Sequence, residues 1–306
     1  MCITRFGIKN NLVMKQVTVL GGNGFIGSNL SNFLAQDKRL KVVIFDLKKK
    51  NKILKNQKFI KGNILNERAL SKAIKNSDYV FNFAALADLN DARNKPVQSV
   101  EINLMGTIKA LIISKKYKIK KFIQASSIYA NSEQGGFYGA SKKAAEDYIE
   151  RFHQKYGLKY TILRFGSLYG PGADKTNGIN IIIDHALKKE TLLYKGSKKA
   201  ARKYIHVNDA CRACAHSIGR KYDNKYLNIT GKTKIQITKL LNIMSEITKI
   251  SKKKIFYKNF PNEGHYISEP RKFIPRHGIN LNLKNYQNFK TGLFNQYLER
   301  KKKFKK

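Results

Sequence analysis

The sequence predicts an α/β fold in which a parallel sheet is wound on both faces, with a smaller C-terminal lobe for substrate. Three observations carry this expectation. Short apolar runs alternate with helical patterns through the first half, a glycine-rich turn follows the first run, and the alternation lapses after "LYGPG", Leu168 to Gly172. The first run, "QVTVL", ends in Gly21-x-x-Gly24-x-x-Gly27, and a helix follows from about Ile26 to Gln36. "KVVIF" runs to Asp46, then come "KFIKG", a helix near Glu67–Lys75 and "YVFNFA". A long helical segment from about Gln98 to Lys115, "KKFIQAS", a helix near Tyr138–Lys155 and "YTILRF" complete the pattern. In such a fold ligands lie at the carboxyl ends of the strands.

The expected organisation is an N-terminal extension over 1–13 and a dinucleotide-binding, Rossmann-type domain over 14–170, to which 201–231 returns. Residues 171–200 and 232–306 then form the substrate lobe and a basic tail. A chain of 306 residues with 42% hydrophobic content can bury a large core. No apolar run is long enough to cross a membrane, and the first residues lack a signal-peptide pattern. Cys2, Cys211 and Cys214 are too few for a disulfide framework, which points to a reducing cytoplasm. The 61 Lys and Arg outnumber the 20 Asp and Glu, for a net charge of +41. These cations are scattered through helices and loops, and only "ERKKKFKK" is dense. The reading is a solvated basic surface that attracts anionic substrates, not a nucleic-acid groove.

The glycine turn suits a dinucleotide. Backbone N–H groups of Gly21, Gly24, Phe25, Ile26 and Gly27, at the start of a helix, can receive pyrophosphate. Asp46 stands 19 residues after Gly27, where a carboxylate accepts ribose hydroxyls and repels a 2′-phosphate, favouring NAD over NADP. Lys48 to Lys50 crowd the same edge. Asn63, after the third strand, is placed to face adenine, and Ala84 and Ala85 are small enough to let the cofactor pass.

Tyr138 and Lys142 are spaced i, i+4, so one helical face carries both, and Ser126 and Ser127 end the strand before them. A phenol titrates near 10 unaided, but a neighbouring ammonium and a nicotinamide cation favour its phenolate. With a serine hydroxyl on the same substrate oxygen, the group suits removal of a carbinol proton while hydride leaves to NAD⁺.

On "GGNGFIGSNL", "FNFAAL", "INLMGT", "ASSIYANS", "FYGASK", "LRFGSLYGPG", "RKYIHVNDA" and "LNITG", in that order, the chain resembles the extended short-chain dehydrogenase/reductases. Within them it is most similar to the NAD-dependent sugar-nucleotide epimerase/dehydratase family, of the UDP-glucose 4-epimerase type found in surface-polysaccharide pathways. The resemblance spans Met14 to the late 280s. It implies Ser127, Tyr138 and Lys142 as the catalytic trio, Asn103 near cofactor and substrate, and Arg202 on the substrate pyrophosphate, which a guanidinium binds bidentately. It also implies a possible homodimer. Two positions depart from the family pattern: Asn131 replaces a usual tyrosine, and Ser167 stands where an asparagine often holds substrate. Dehydratases of this family place an Asp-Glu pair after the catalytic Thr or Ser. Here Ile128 and Tyr129 follow Ser127, which disfavours dehydration.

The expected function is NAD-dependent epimerisation of a nucleotide sugar, a UDP-hexose at C4, through a transient 4-keto intermediate. A nucleotide-sugar dehydrogenase/reductase or dehydratase, and a non-catalytic dinucleotide-binding protein, stand as alternatives. Cys211-x-x-Cys214 reads as a pair of buried thiols on an amphipathic helix, and the histidines show no metal-ligand spacing. His206 reads as structural. Tyr266, Arg271 and Arg276 are further candidates to reach a nucleotide.

Overall fold

The computed structural model describes residues 14–49, 53–132, 134–258, 279–281, 283 and 285–304; Tyr266, Arg271 and Arg276 lie outside them. The first half builds β1 (Lys15–Leu20), α1 (Phe25–Leu34), β2 (Leu40–Asp46), β3 (Gln57–Lys61), α2 (Glu67–Ile74) and β4 (Tyr79–Asn82). It continues through α3 (Leu89–Asn94), α4 (Pro96–Val100), α5 (Gly106–Lys116), β5 (Lys121–Ser127), α6 (Gly136–Tyr156) and β6 (Tyr160–Phe165). The second half gives β7 (Ser167–Tyr169), α7 (Gly178–Lys189), β8 (Leu192–Lys195), β9 (Ala201–Arg202), β10 (Tyr204–His206) and α8 (Val207–His216). Then follow β11 (Lys225–Ile229), β12 (Ile235–Gln236), α9 (Ile237–Thr248), β13 (Ile255–Lys258), β14 (Ile279–Asn280) and α10 (Phe289–Phe304).

Eight strands form one sheet in the order β14-β11-β6-β5-β4-β1-β2-β3, with every neighbouring pair parallel. The order reverses direction between β1 and β4, which opens a crevice at their carboxyl ends. Helices cover both faces, so β5 and β6 are buried along their whole length and show no polar alternation. One face packs Leu30 and Leu34 of α1 with Ala210, Cys211 and Cys214 of α8 over Val17, Val19 and Ile44. Both thiols are buried there, as their helical setting predicts. The opposite face packs Leu70 and Ile74 of α2, Leu111 of α5 and Ile149 of α6 over Val43, Val80 and Phe122. A third core, with Ile183 of α7, Leu240 and Met244 of α9 and Leu293 of α10, holds the second half together.

Two features depart from the sequence reading. The segment expected as one helix from Gln98 is α4, a π-helical turn over Glu101–Met105, and α5. The widened turn holds Asn103 with its side chain wholly buried, and π turns recur at functional sites. Beyond β6, the lapse of alternation conceals three two-stranded ladders, β7 with β10, β8 with β13 and β9 with β12. Their strands are two to four residues long, too short for a periodic signal.

Candidate active site

The predicted cofactor residues converge on the crevice. Gly21 follows β1, Asp46 ends β2, Asn63 follows β3 and Ala84 and Ala85 follow β4, all at carboxyl ends. Gly21 sits at φ +72°, and a Cβ on it would meet the Ala84 nitrogen at 2.5 Å, so a side chain is excluded twice over. Gly27 lies against the same turn; its Cβ would stand 2.2 Å from the Gly21 carbonyl oxygen. Gly24 differs. It is exposed, and a Cβ there would touch only that oxygen at 3.3 Å, so protein packing leaves room for a ligand to approach. It caps α1 without a side-chain hydrogen bond, and no acidic residue occupies the first turn, which leaves the amide end of the helix to an anion.

Asp46 is tied to this turn. Its Oδ2 accepts from the Asn23 backbone N–H at 2.8 Å and its Oδ1 from the Leu47 N–H at 2.7 Å. Asn23 donates its side-chain amide to the Lys48 carbonyl at 2.7 Å, while its Oδ1 is buried without a partner. Sequence reasoning passed over Asn23. Its orphaned acceptor, the room at Gly24 and the uncapped helix together fit a dinucleotide, whose ribose and phosphates supply the matching donors and charge. Asn63 is exposed and its Oδ1 accepts from the Leu65 N–H at 2.9 Å in a local turn. A Gly27→Ala variant is expected to lose about 1–3 kcal/mol of stability from overpacking and to bind NAD more weakly; chemical denaturation and calorimetric titration check both.

Beside the crevice, three residues of one α6 face meet the end of β5. The Tyr138 hydroxyl is hydrogen-bonded to the Ser127 side chain. Ser127 Oγ also accepts from the Tyr129 N–H at 3.2 Å, capping the tight turn Ile128–Asn131. Lys142 is buried and donates from Nζ to the Ala125 carbonyl at 3.0 Å, with Nζ 5.7 Å from the centre of the Tyr138 ring. Ser126 points elsewhere: its hydroxyl donates to Glu146 Oε1 at 2.5 Å. Of the two adjacent serines, Ser127, the one that the family resemblance implies, is the one beside Tyr138.

The charge balance differs from the sequence expectation. Burial pushes the Tyr138 phenol up to about 12, although its bond to Ser127 acts the other way. Burial also lowers the Lys142 ammonium to about 8, with Glu146 partly restoring it. In the chain's own field, desolvation outweighs the help that Lys142 was expected to give the phenolate.

Asn103 is engaged internally. Its Oδ1 accepts from the Leu86 N–H at 2.7 Å, and its amide donates to Ser141 Oγ at 2.9 Å and the Leu86 carbonyl at 3.2 Å. It therefore fastens the loop after β4 to α6. Ser167 begins β7 and pairs in register with Tyr204, two residues after Arg202, so the two expected substrate residues lie on neighbouring ladders beyond β6. His206 is buried; its Nδ1 accepts from the Asn208 N–H at 3.2 Å at the start of α8, the structural place expected for it. Among the described residues no cluster of His, Cys, Asp and Glu could hold a metal, and no helix is long and apolar enough to cross a membrane.

The residues that sequence reasoning missed lie beneath the trio. Glu146 and Arg164 form a bidentate pair, with Nε to Oε1 at 3.0 Å and Nη2 to Oε2 at 2.6 Å, and side chains 2% and 1% exposed. The Arg164 guanidinium lies 4.3 Å from the centre of the Tyr226 ring. The available signal was spacing: Glu146 is four residues beyond Lys142 and eight beyond Tyr138 on the same helix.

Known proteins are similar to this chain in sequence and in fold. The chain is 28% identical over 249 residues to a Methanocaldococcus jannaschii protein provisionally named a UDP-glucose 4-epimerase, covering 74% of this chain and 81% of that one. It is 27% identical over 241 residues to the dTDP-D-glucose 4,6-dehydratase of Dictyostelium discoideum, covering 67% and 56%. The crystal structure of a Thermotoga maritima UDP-glucose 4-epimerase with UDP-glucose superimposes with a TM-score of 0.77 at 26% identity, over 94% of this chain and 99% of the other. With residues 17–230 matching the profile of the NAD dependent epimerase/dehydratase family, the chain belongs to that family, whose cofactor is NAD.

Proposed function

We propose that the protein epimerises a nucleotide sugar, a UDP-hexose at C4, through a transient 4-keto intermediate. The observation that carries this reading is the Ser127–Tyr138–Lys142 group at the end of β5, followed by Ile128 and Tyr129 in place of any acidic pair. NAD, when bound, supplies reversible hydride acceptance and a positive charge that favours the phenolate. Tyr138 then takes the C4 hydroxyl proton and later returns it, Ser127 holds the same oxygen, and Lys142 sustains the phenolate by its charge. Because proton and hydride are both given back, the cofactor is regenerated at each turnover. Gly21, Gly24, Phe25, Ile26 and Gly27 would hold the pyrophosphate of NAD, Asp46 its ribose, and Asn63, Ala84 and Ala85 its path across the strand ends. Asn103 positions the loop beside it. Arg202 and Ser167 would meet the substrate diphosphate and sugar.

NMR of the purified protein with trace NAD⁺ and a panel of UDP-, GDP- and dTDP-sugars tests the reading. A C4 epimer without net NADH supports it; a keto product or stoichiometric NADH would assign a dehydratase or a dehydrogenase instead. The rate is expected to fall as pH rises through about 8, where Lys142 loses its charge; a flat pH profile between 7 and 9 would count against an ammonium at that position.

The protein would act as a homodimer in the cytoplasm. Support for the dimer comes from Val97, Val100, Met105, Ile112, Phe137 and Tyr148, large apolar side chains left 43–70% exposed on α4, the π turn, α5 and α6. Light scattering is expected to give twice the chain mass, and a monomer for Met105→Glu/Ile112→Glu.

A further inference from the structure

Three side chains of one α6 face grip three consecutive residues of β5. Tyr138 bonds Ser127, Lys142 bonds the Ala125 carbonyl, and Glu146 receives the Ser126 hydroxyl. The first two belong to the chemistry proposed above. The third is a carboxylate buried one helical turn below Lys142, where a charge is costly unless it is paired. Arg164 of β6 pairs it with two hydrogen bonds, and the Tyr226 ring of β11 covers that guanidinium. Tyr226 in turn donates its hydroxyl to Glu150 Oε1 at 2.5 Å, which closes the cluster on the side away from Tyr138.

We propose that Glu146 is a positioning residue, a buried carboxylate one helical turn from Lys142 that, through Ser126, fixes the end of β5 so that Ser127 faces Tyr138. The inference rests on the reading of Ser127, Tyr138 and Lys142 as the reacting group. Its physical basis is the low dielectric of the site, which strips Lys142 of water and disfavours its ammonium. A carboxylate at i+4 on the same face opposes that loss. The titratable groups around the pair are Tyr138 on the outer side, and Arg164, Tyr226 and Glu150 on the inner side. From the π turn and α4, the facing groups are Asn103 and Ser99, which bond Ser141 and carry no charge. Glu146 is the group among them that raises the Lys142 ammonium against its burial. Arg164 meets the far side of the carboxylate with two charge-assisted hydrogen bonds.

The test reads Lys142 directly. Protein carrying ¹³C-lysine is titrated by NMR, and the buried signal that changes near pH 8 and is missing from Lys142→Met is assigned to Lys142. In Glu146→Gln its midpoint is expected to move about one unit to lower pH, a tenfold change in its protonation equilibrium. In Ser126→Ala, which leaves the carboxylate and its arginine in place, the midpoint is expected to stay. Should Glu146→Gln fail to fold because Arg164 loses its bidentate partner, Glu146→Gln/Arg164→Gln removes both charges together; the midpoint is then expected to move in the same direction by less, since the opposing guanidinium charge leaves with the carboxylate. An unmoved Lys142 midpoint in the folded variant overturns the proposal. The readout needs no turnover, so a moved midpoint in a protein silent on every nucleotide sugar would sink the epimerase reading and leave the role of Glu146 standing. In an active protein, the alkaline limb of the rate follows the same shift.

Discussion

A Tyr138→Phe variant is expected to turn over nucleotide sugar on the order of 10²–10⁴-fold more slowly than the native chain, the range of a lost general base. That corresponds to about 3–5 kcal/mol of barrier. The change removes one oxygen from a residue whose phenol is pushed up to about 12 by burial and is hydrogen-bonded to Ser127. Packing is conserved, so denaturation and NAD binding should match the native protein while kcat collapses. Comparison of kcat, KM and NAD affinity separates the outcomes. A Phe variant with native kcat would show that another group takes the proton, and a lost affinity for NAD would make Tyr138 a binding residue first.

The largest effect on stability is expected at Arg164. In Arg164→Ala, Glu146 is left buried with the Ser126 hydroxyl as its remaining hydrogen-bond partner among the described residues. Removing one member of a buried ion pair costs about 3–5 kcal/mol, since the other charge stays uncompensated. Replacing both members, as in Glu146→Leu/Arg164→Met, should cost much less, because two apolar side chains of similar volume need no partners. Urea denaturation of the two variants gives the contrast. If the single and double replacements lose equal stability, the site is valued for its packing and not for its charge pair.

The first half of this fold is legible because a doubly wound sheet writes each strand as an apolar run and each helix as a periodic one. β1 to β6, α1, α2 and α6 fall where those patterns place them. The carboxyl-end sites follow: Gly21, Asp46 and Ser127 are each at the last residue of a strand or just after it. Other features leave no comparable trace. Ser126 and Ser127 are identical in type and adjacent, so residue chemistry alone does not distinguish them; the family resemblance points to Ser127, and the side chain each one meets sets them apart. Asn103 reads as a polar residue on a helix, and nothing in its neighbours announces a π turn that holds it inward. The spacing of Glu146 from Lys142 puts it on the same helical face, but its burial depends on Arg164, eighteen residues away on another strand. The ionisation of Tyr138 and Lys142 is equally hidden, since desolvation is a property of what surrounds a group and not of its spacing.

One contact pattern at the far end of the chain has a bearing on biogenesis. The Gly170 N–H is accepted by Gln296 Oε1 at 2.8 Å and the Gly172 N–H by Glu299 Oε2 at 2.9 Å, while Arg300 pairs with Asp184. The same glycine loop touches the cofactor helix, where Asn29 donates to the Pro171 carbonyl at 3.2 Å. Seven of the parallel strands are complete once the ribosome has made Ile229. The loop that borders the first helix, however, receives two of its acceptors from the last one. A nascent chain can therefore assemble its sheet early, yet the rim of its ligand crevice is finished only after α10 has left the exit tunnel.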